Sequence, residues 1–423
     1  MARPHRGLPI APIARPGARR LPLAEEAREV DTRFRPIYAV WEVTLACDLA
    51  CRHCGSRAGR PRPDELTTAE ALDLIAQMAH LGVKEATLIG GEAYLRPDWL
   101  ELVAAFRAHG IPVTMTTGGR GLSAEMLEQA RNAGLLGVSV SIDGDEPTHD
   151  RLRGVAGSYR AAVGALRAAK ALGLRTSFNT QINRLSAPIL GDILEAVAPL
   201  GVRGWQIQLT VPMGRAADEP DILVQPYDLL AIFPRLATLK KRCDALGIMF
   251  WPGNNIGYFG PYESVIRGHY LRGHGGSCGA GKATLGVEAN GAIKGCPSLP
   301  TDRWTGGNIR DESLQAIWER SEPLRYMRDR TVDDLWGFCR TCYYAEECMS
   351  GCTWTSFVTL GLPGNNPFCH HRALEMDRRG LRERVSPATQ APGQPFDHGT
   401  FEIVVEPAVR SDVQSEVESE VTS

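Results

Sequence analysis

Between residues 37 and about 215 the chain alternates short apolar runs with amphipathic stretches, and this alternation constrains the fold more than any other feature. The strand candidates are IYAVWEVTL, EATLIGG, VTMTTGG, GVSVSID, RTSFNTQIN and GWQIQLTVP. Between them lie helical stretches such as TTAEALDLIAQMAHLG, RPDWLELVAAFRAHG, SAEMLEQARNAG and SYRAAVGALRAAKALG. Several begin with Ser or Thr and end in Gly, the expected chemistry of helix caps. Parallel neighbouring strands need a crossover helix, so the pattern argues a parallel α/β sheet. Six such units predict a partial (β/α)6 TIM-like barrel, with ligands at the C-terminal ends of its strands.

The 423 residues are 43% hydrophobic with a net charge of −2, enough for a core and two domains, and no support for nucleic-acid binding. No long uninterrupted apolar segment stands out, so no membrane span is expected. The first 24 residues hold five arginines and no acid. Although ARRLPLAEEA has the paired arginines of an export signal, no apolar stretch follows. Residues 1–36 are therefore expected to be a disordered basic tail on a cytoplasmic protein. A barrel over 37–230, a connector over 231–277 and a small cysteine-rich domain over 278–384, closed by a helix RALEMDRRGLRERV, should follow. From 385 to 423, seven acids face one arginine, predicting a solvated, disordered acidic tail.

Ten of the eleven cysteines fall into tight motifs, and only Cys243 stands apart, reading as a core residue of its helix. Disulfide frameworks belong to much smaller secreted chains, so clustered thiols here point to metal. CDLACRHC places Cys47, Cys51 and Cys54 in a loop after the first strand with no fourth thiol nearby. Structural zinc prefers four protein ligands, so a zinc knuckle would have to borrow a distant one. An iron–sulfur cube held by three thiolates instead leaves one iron open to a small molecule.

Cys-x3-Cys-x2-Cys at the end of a first strand, with GGEAYLR after the second, resembles the radical S-adenosylmethionine (SAM) superfamily over roughly residues 37–370. That resemblance implies that SAM binds the open iron and that one electron cleaves it to a 5′-deoxyadenosyl radical, which abstracts hydrogen from substrate. It assigns Gly90, Gly91 and Glu92 to the methionine amino group; two glycines permit close backbone approach and a carboxylate accepts from an ammonium. It places Thr117, Ser141 and Asp143 near the methionine carboxylate or the ribose, and Arg153 at the carboxylate. Asn179 and Arg215 are candidates at later strand ends, and His53 is read as packing on the adenine or the cluster. Strand-end turns and a surface helix would also account for the polar residues and for Arg153.

A second field comprises Cys278, Cys296, Cys339, Cys342, Cys348, Cys352 and Cys369. Zinc accepts thiolates at such spacings, but behind a radical SAM domain the field resembles the SPASM extension, which carries two auxiliary clusters. The resemblance implies three [4Fe–4S] clusters in all. Cys339, Cys342, Cys348 and Cys369 would hold the outer auxiliary cluster, and Cys278, Cys296 and Cys352 the inner one, a ligand short. Cys243, another side chain, water or a substrate thiol could complete it. The implied activity is oxidative thioether or carbon–carbon crosslinking of a ribosomally made peptide. Oxidation or epimerisation of a sugar, aminocyclitol or tetrapyrrole is the alternative, and a zinc scaffold a remote one. The resemblance implies a flavodoxin- or ferredoxin-type electron donor, and a peptide's leader would be recognised by a separate leader-peptide-binding protein or by the barrel mouth. Trp251, Tyr258, Phe259 and Tyr262 line either the substrate cavity or the core. No catalytic acid or base is identified.

Overall fold

The computed structural model describes residues 34–268 and 275–408. The expected basic tail up to residue 33 and the acidic residues from 409 lie outside the described residues. Seven strands run in chain order: β1 (Tyr38–Glu42), β2 (Glu85–Ile89), β3 (Val113–Thr117), β4 (Gly137–Ser141), β5 (Arg175–Ile182), β6 (Gly204–Leu209) and β7 (Met249–Pro252). Every neighbouring pair among them is parallel. The β1–β7 run of the sheet therefore has seven strands where six were expected. FWP, read as part of a connector, pairs with β6, so the barrel does not end at residue 230.

Local chemistry explains the helices that cover this sheet. Thr67 caps Thr68–Leu81 by accepting from the Glu70 N–H while Glu70 accepts in return, and Gly82 ends it at φ 95°. Leu74, Ile75 and Met78 on its inner face join Trp41, Phe106, Phe178 and Trp205 in one core. Full burial of each such side chain contributes roughly 2 kcal/mol. Pro220–Ala245 alone among the described residues has the length and composition to cross a bilayer, an exception to the sequence reading. Its apolar window is 61% buried, and it serves as a core helix.

The cysteine-rich region is not a separate bead. Its strand β8 (Thr284–Val287) pairs parallel with β1, and β9 (Ala292–Lys294) and β10 (Thr305–Asn308) extend the same sheet antiparallel. The strand order is β10-β9-β8-β1-β2-β3-β4-β5-β6-β7, an open ten-stranded sheet.

Two expectations at the C-terminus are corrected. The helix predicted through Val385 stops at Arg378, because Gly380 turns the chain at φ 70°. LRERV then alternates faces as a strand, burying Glu383 and Val385. The acidic tail is structured as far as residue 408, with β11 (Leu381–Thr389) and β12 (Thr400–Pro407) forming an antiparallel hairpin. Arg372 binds Glu383 through both oxygens, at 2.6 and 2.8 Å, which ties the hairpin to the preceding helix.

Candidate active site

Cys47, Cys51 and Cys54 lie in the loop leaving β1, and the backbone pins that loop on several sides. Cys47 N–H donates to Gly59 O at 3.1 Å, Ala50 N–H to Arg153 O at 3.1 Å and Arg52 N–H to Leu152 O at 2.9 Å. Arg215 donates from Nε to Cys51 O at 2.6 Å and from Nη1 to Ala58 O at 3.1 Å. Its guanidinium thus clamps the cysteine loop itself. A Cβ on Gly90 or Gly91 would collide with the carbonyls of Thr44 or Ala46. The double glycine is therefore required by close packing of the β2 end against the cysteine loop, and it delivers Glu92 to the loop's inner side.

Glu92 is buried, accepting from the Thr117 hydroxyl and, at 2.7 Å, from Gly118 N–H. Burial outweighs these donors and pushes its carboxyl up to about 7, so a cation beside it would restore the charge. Ligand atoms of Cys47, Asp48 and Glu92 lie within 4.8 Å of one another. Asp48, which the sequence reading missed, accepts from Tyr94 Oη at 3.0 Å through one oxygen, while the other is buried without a partner.

Asp143, two residues past β4, is fully buried, 2.5 Å from Arg153 Nη2 and 3.3 Å from His53 Nε2. Burial alone would raise its carboxyl, yet Arg153 and then His53 hold it well below the usual carboxylate range. Arg153 also donates to Cys51 Sγ at 3.6 Å. Arg153 is therefore buried, not a surface helix residue, and His53, expected to pack on the adenine or the cluster, also contacts Asp143. Ser141 stands in register with Asn179, whose amide nitrogen and oxygen are both buried and unpartnered. Arg215 Nη2 is similarly orphaned.

These features fit a resident cluster with an amino-acid nucleoside. Burial pushes the Cys47 thiol up to about 12 and raises Cys51, so thiolates here need a metal cation. The loop offers three thiols, Glu92 can accept from an ammonium, and Asn179, Asp48 and Arg215 offer unused polar atoms.

In the second field the structure brings four thiols to one cavity. Cys339, Cys342, Cys348 and Cys369 line one small cavity with Tyr258, Phe259 and Tyr344. Two of the four aromatic candidates thus face the outer thiols. Cys278 and Cys296 both bear on the ionisation of Cys352, whose thiol burial pushes up to about 12. Cys243 is fully buried in the barrel core with Asp244, Lys240, Glu195 and Arg242 as its charged neighbours, which excludes it as the missing ligand.

Comparison with known proteins matches these two sites to two families. The radical SAM superfamily model covers residues 41–183, and SPASM, an iron–sulfur cluster-binding domain, covers 278–343. Mycofactocin maturase MftC of Mycolicibacterium smegmatis is 31% identical over 349 residues, spanning 79% of this chain and 82% of that protein. The chain belongs to the radical SAM superfamily. AdoMet-dependent heme synthase of Methanosarcina barkeri is 28% identical over 348 residues, 80% of this chain and 97% of the relative. The fold is shared with Streptococcus suis SuiB bound to its precursor peptide SuiA, at 15% identity, a TM-score of 0.60, and 81% and 77% coverage. This radical SAM enzyme binds SAM and iron–sulfur clusters, and its C-terminal region carries a SPASM domain.

Proposed function

We propose that this radical SAM enzyme is a cytoplasmic maturase that oxidatively crosslinks a ribosomally synthesised peptide through a thioether or carbon–carbon bond. The observation that carries this reading is the apolar cluster that joins the two thiol sites. Met213 faces the first site, where a Cβ on Gly55 would stand 3.7 Å from its sulfur. The same residue accepts from Trp354 Nε1 at 2.9 Å and shares an apolar cluster with Cys278, against which Cys296 packs. The first thiols and the inner thiols are thus linked through one side chain, which supports a substrate that is radicalised at the first site and oxidised at the second.

Three [4Fe–4S] clusters are assigned, on Cys47/Cys51/Cys54, on Cys278/Cys296/Cys352 and on Cys339/Cys342/Cys348/Cys369. When bound and reduced by a flavodoxin- or ferredoxin-type donor, the first cluster with SAM supplies the radical that takes a hydrogen atom from the substrate. Glu92, positioned by the Thr117 hydroxyl, would hold the methionine amine, Asn179 and Ser141 would face the nucleoside, and Arg215 and Arg153 fix the loop that carries the thiols. Buried side chains around them exclude water from the reacting centre. An inner cluster held by Cys278, Cys296 and Cys352 would accept a substrate thiol as a further ligand. The maturase among the relatives, at 31% identity, supports a peptide substrate.

The test is mass spectrometry of a short peptide encoded beside this gene and co-expressed with the enzyme. Loss of two hydrogens, or a multiple of two, is expected, with fragmentation locating a crosslink. An unmodified peptide alongside SAM-dependent conversion of a tetrapyrrole would turn the assignment to the second reading. The heme synthase relative favours that one, matched over 97% of its length.

A further inference from the structure

The connection between β11 and β12, residues 390–399, does not stand out into solvent as a plain hairpin loop. Its first residues, Gln390 to Pro395, are mostly exposed and are Gln, Ala, Pro and Gly, which bring no core of their own. Phe396 then turns inward at φ 57°, a left-handed conformation that an aromatic residue adopts only when its surroundings impose it. Its ring is 7% exposed and fills the apolar cluster made by Met213, Cys278, Leu299, Trp304 and Phe357. That cluster fills the gap between the two thiol sites, with Met213 beside Gly55 on one side and Cys278 on the other.

The pocket is built for a ring. Lys294 Nζ stands 4.0 Å from the Phe396 centroid and the Arg62 guanidinium 5.7 Å from it. Both cations are balanced by Glu288, at 2.6 Å from Lys294 and 2.7 Å from Arg62. A neutral π-face gains from such cations while an acidic group would meet Glu288. The tip is held by polar contacts at its next residue. Asp397 accepts from Arg57 Nε at 2.6 Å and its carbonyl from Gly214 N–H at 2.8 Å. Arg57 lies three residues beyond Cys54, and Gly214 presses on the carbonyls of Cys54 and Gly55. A single apolar side chain and a short latch therefore close the space.

We propose that the pocket occupied by Phe396 is the binding site for an aromatic side chain of the substrate, with the hairpin tip as its displaceable stand-in. The proposal rests on the maturase reading and names the side chain that such a substrate presents. Substrate entry then requires release of the Asp397 latch and withdrawal of Phe396. The strained backbone at Phe396 lowers the barrier to that exchange, because leaving the pocket relieves it.

The test is equilibrium dialysis of the cluster-loaded, SAM-bound enzyme against N-acetyl-L-phenylalaninamide and N-acetyl-L-leucinamide under anaerobic conditions. Removing an occupant that competes for the site raises apparent affinity, so Phe396→Ala should bind the phenylalanine amide about tenfold tighter than wild type. The leucine amide should gain less, because it has no π-face for Lys294. Asp397→Asn keeps the ring and loosens the latch, and its affinity should fall between the two. A permanent core role for Phe396 predicts the opposite: both variants bind the amide no better than wild type. That result, or equal gains for the two amides, overturns the proposal. Should Phe396→Ala fail to fold, Asp397→Asn decides alone by tighter or unchanged binding. Amide binding is independent of which bond the enzyme makes, so it separates from failure of the peptide assay.

Discussion

The two thiol regions are built on opposite principles. The first is preorganised by protein: a loop between a core strand and the two glycines of β2's end, clamped by Arg215 and backed by the buried Asp143–Arg153 pair. The second is made of helices as short as Gly337–Thr341 and Ala345–Cys348, followed by three consecutive residues, Met349, Ser350 and Gly351, at positive φ. Its apolar cluster is small beside the barrel core. Where packing and ion pairs already fix the thiols, metal adds chemistry; where loops carry them, metal also supplies folding energy.

Four experiments would break or sharpen that contrast. Changing Cys47, Cys51 and Cys54 together to alanine should abolish 5′-deoxyadenosine formation with a strong reductant while leaving the barrel's circular dichroism intact. Changing Cys339 and Cys342 should do the reverse, lowering iron content and loosening the C-terminal region to protease with SAM cleavage retained. Cleavage surviving in the first variant and lost in the second would invert the assignment.

Next in size is Arg153→Met, which leaves Asp143 buried without its guanidinium. Breaking such a pair costs roughly 3–5 kcal/mol in denaturant unfolding, and adding Asp143→Asn should recover part of it. Little loss would mean that the ion pair does not hold the first site.

Glu42 probes the seam where the two regions share a sheet. Burial, with Glu288 beside it, pushes its carboxyl up to about 8 from 4.5. The folded state thus holds a proton that the unfolded chain has released, so stability present below about 4.5 is lost as pH rises toward and through 8. Thermal midpoints should fall from pH 6 to 9, and Glu42→Gln should flatten that slope. An unchanged slope would place the seam's pH response elsewhere. Smallest is Cys243→Ala, expected to cost about 1 kcal/mol by a small cavity, with iron content unchanged; lost iron would bring it back as a ligand.

Much of this was legible in the chain. Period and capping exposed the helices, as Thr67, Glu70 and Gly82 show, because those signals are local. The thiol spacings exposed both metal fields because ligand geometry restricts spacing. By contrast, β7 was hidden in FWPGNN, since a four-residue strand is defined by the neighbour it pairs with. LRERV read as helix because Arg and Glu suit one, and only pairing with β12 and the Arg372–Glu383 contact make it a strand. Asp48 lay between two cysteines without a signal of its own; burial beside Glu92 gives it one.

By itself the sequence determined the parallel α/β scaffold, the superfamily and which thiols gather, since periodicity, caps and metal spacing act over a few residues. The tertiary structure alone decided that Arg215 clamps a loop, that β8 fuses the cysteine-rich region to β1, and that Phe396 packs in the apolar cluster between the thiol sites. Those contacts join residues 164, 246 and 183 positions apart in the chain, counting Arg215 to Cys51, Thr284 to Tyr38 and Phe396 to Met213. Over such separations, burial and the pairing of polar groups choose the partner, and no local pattern encodes that choice.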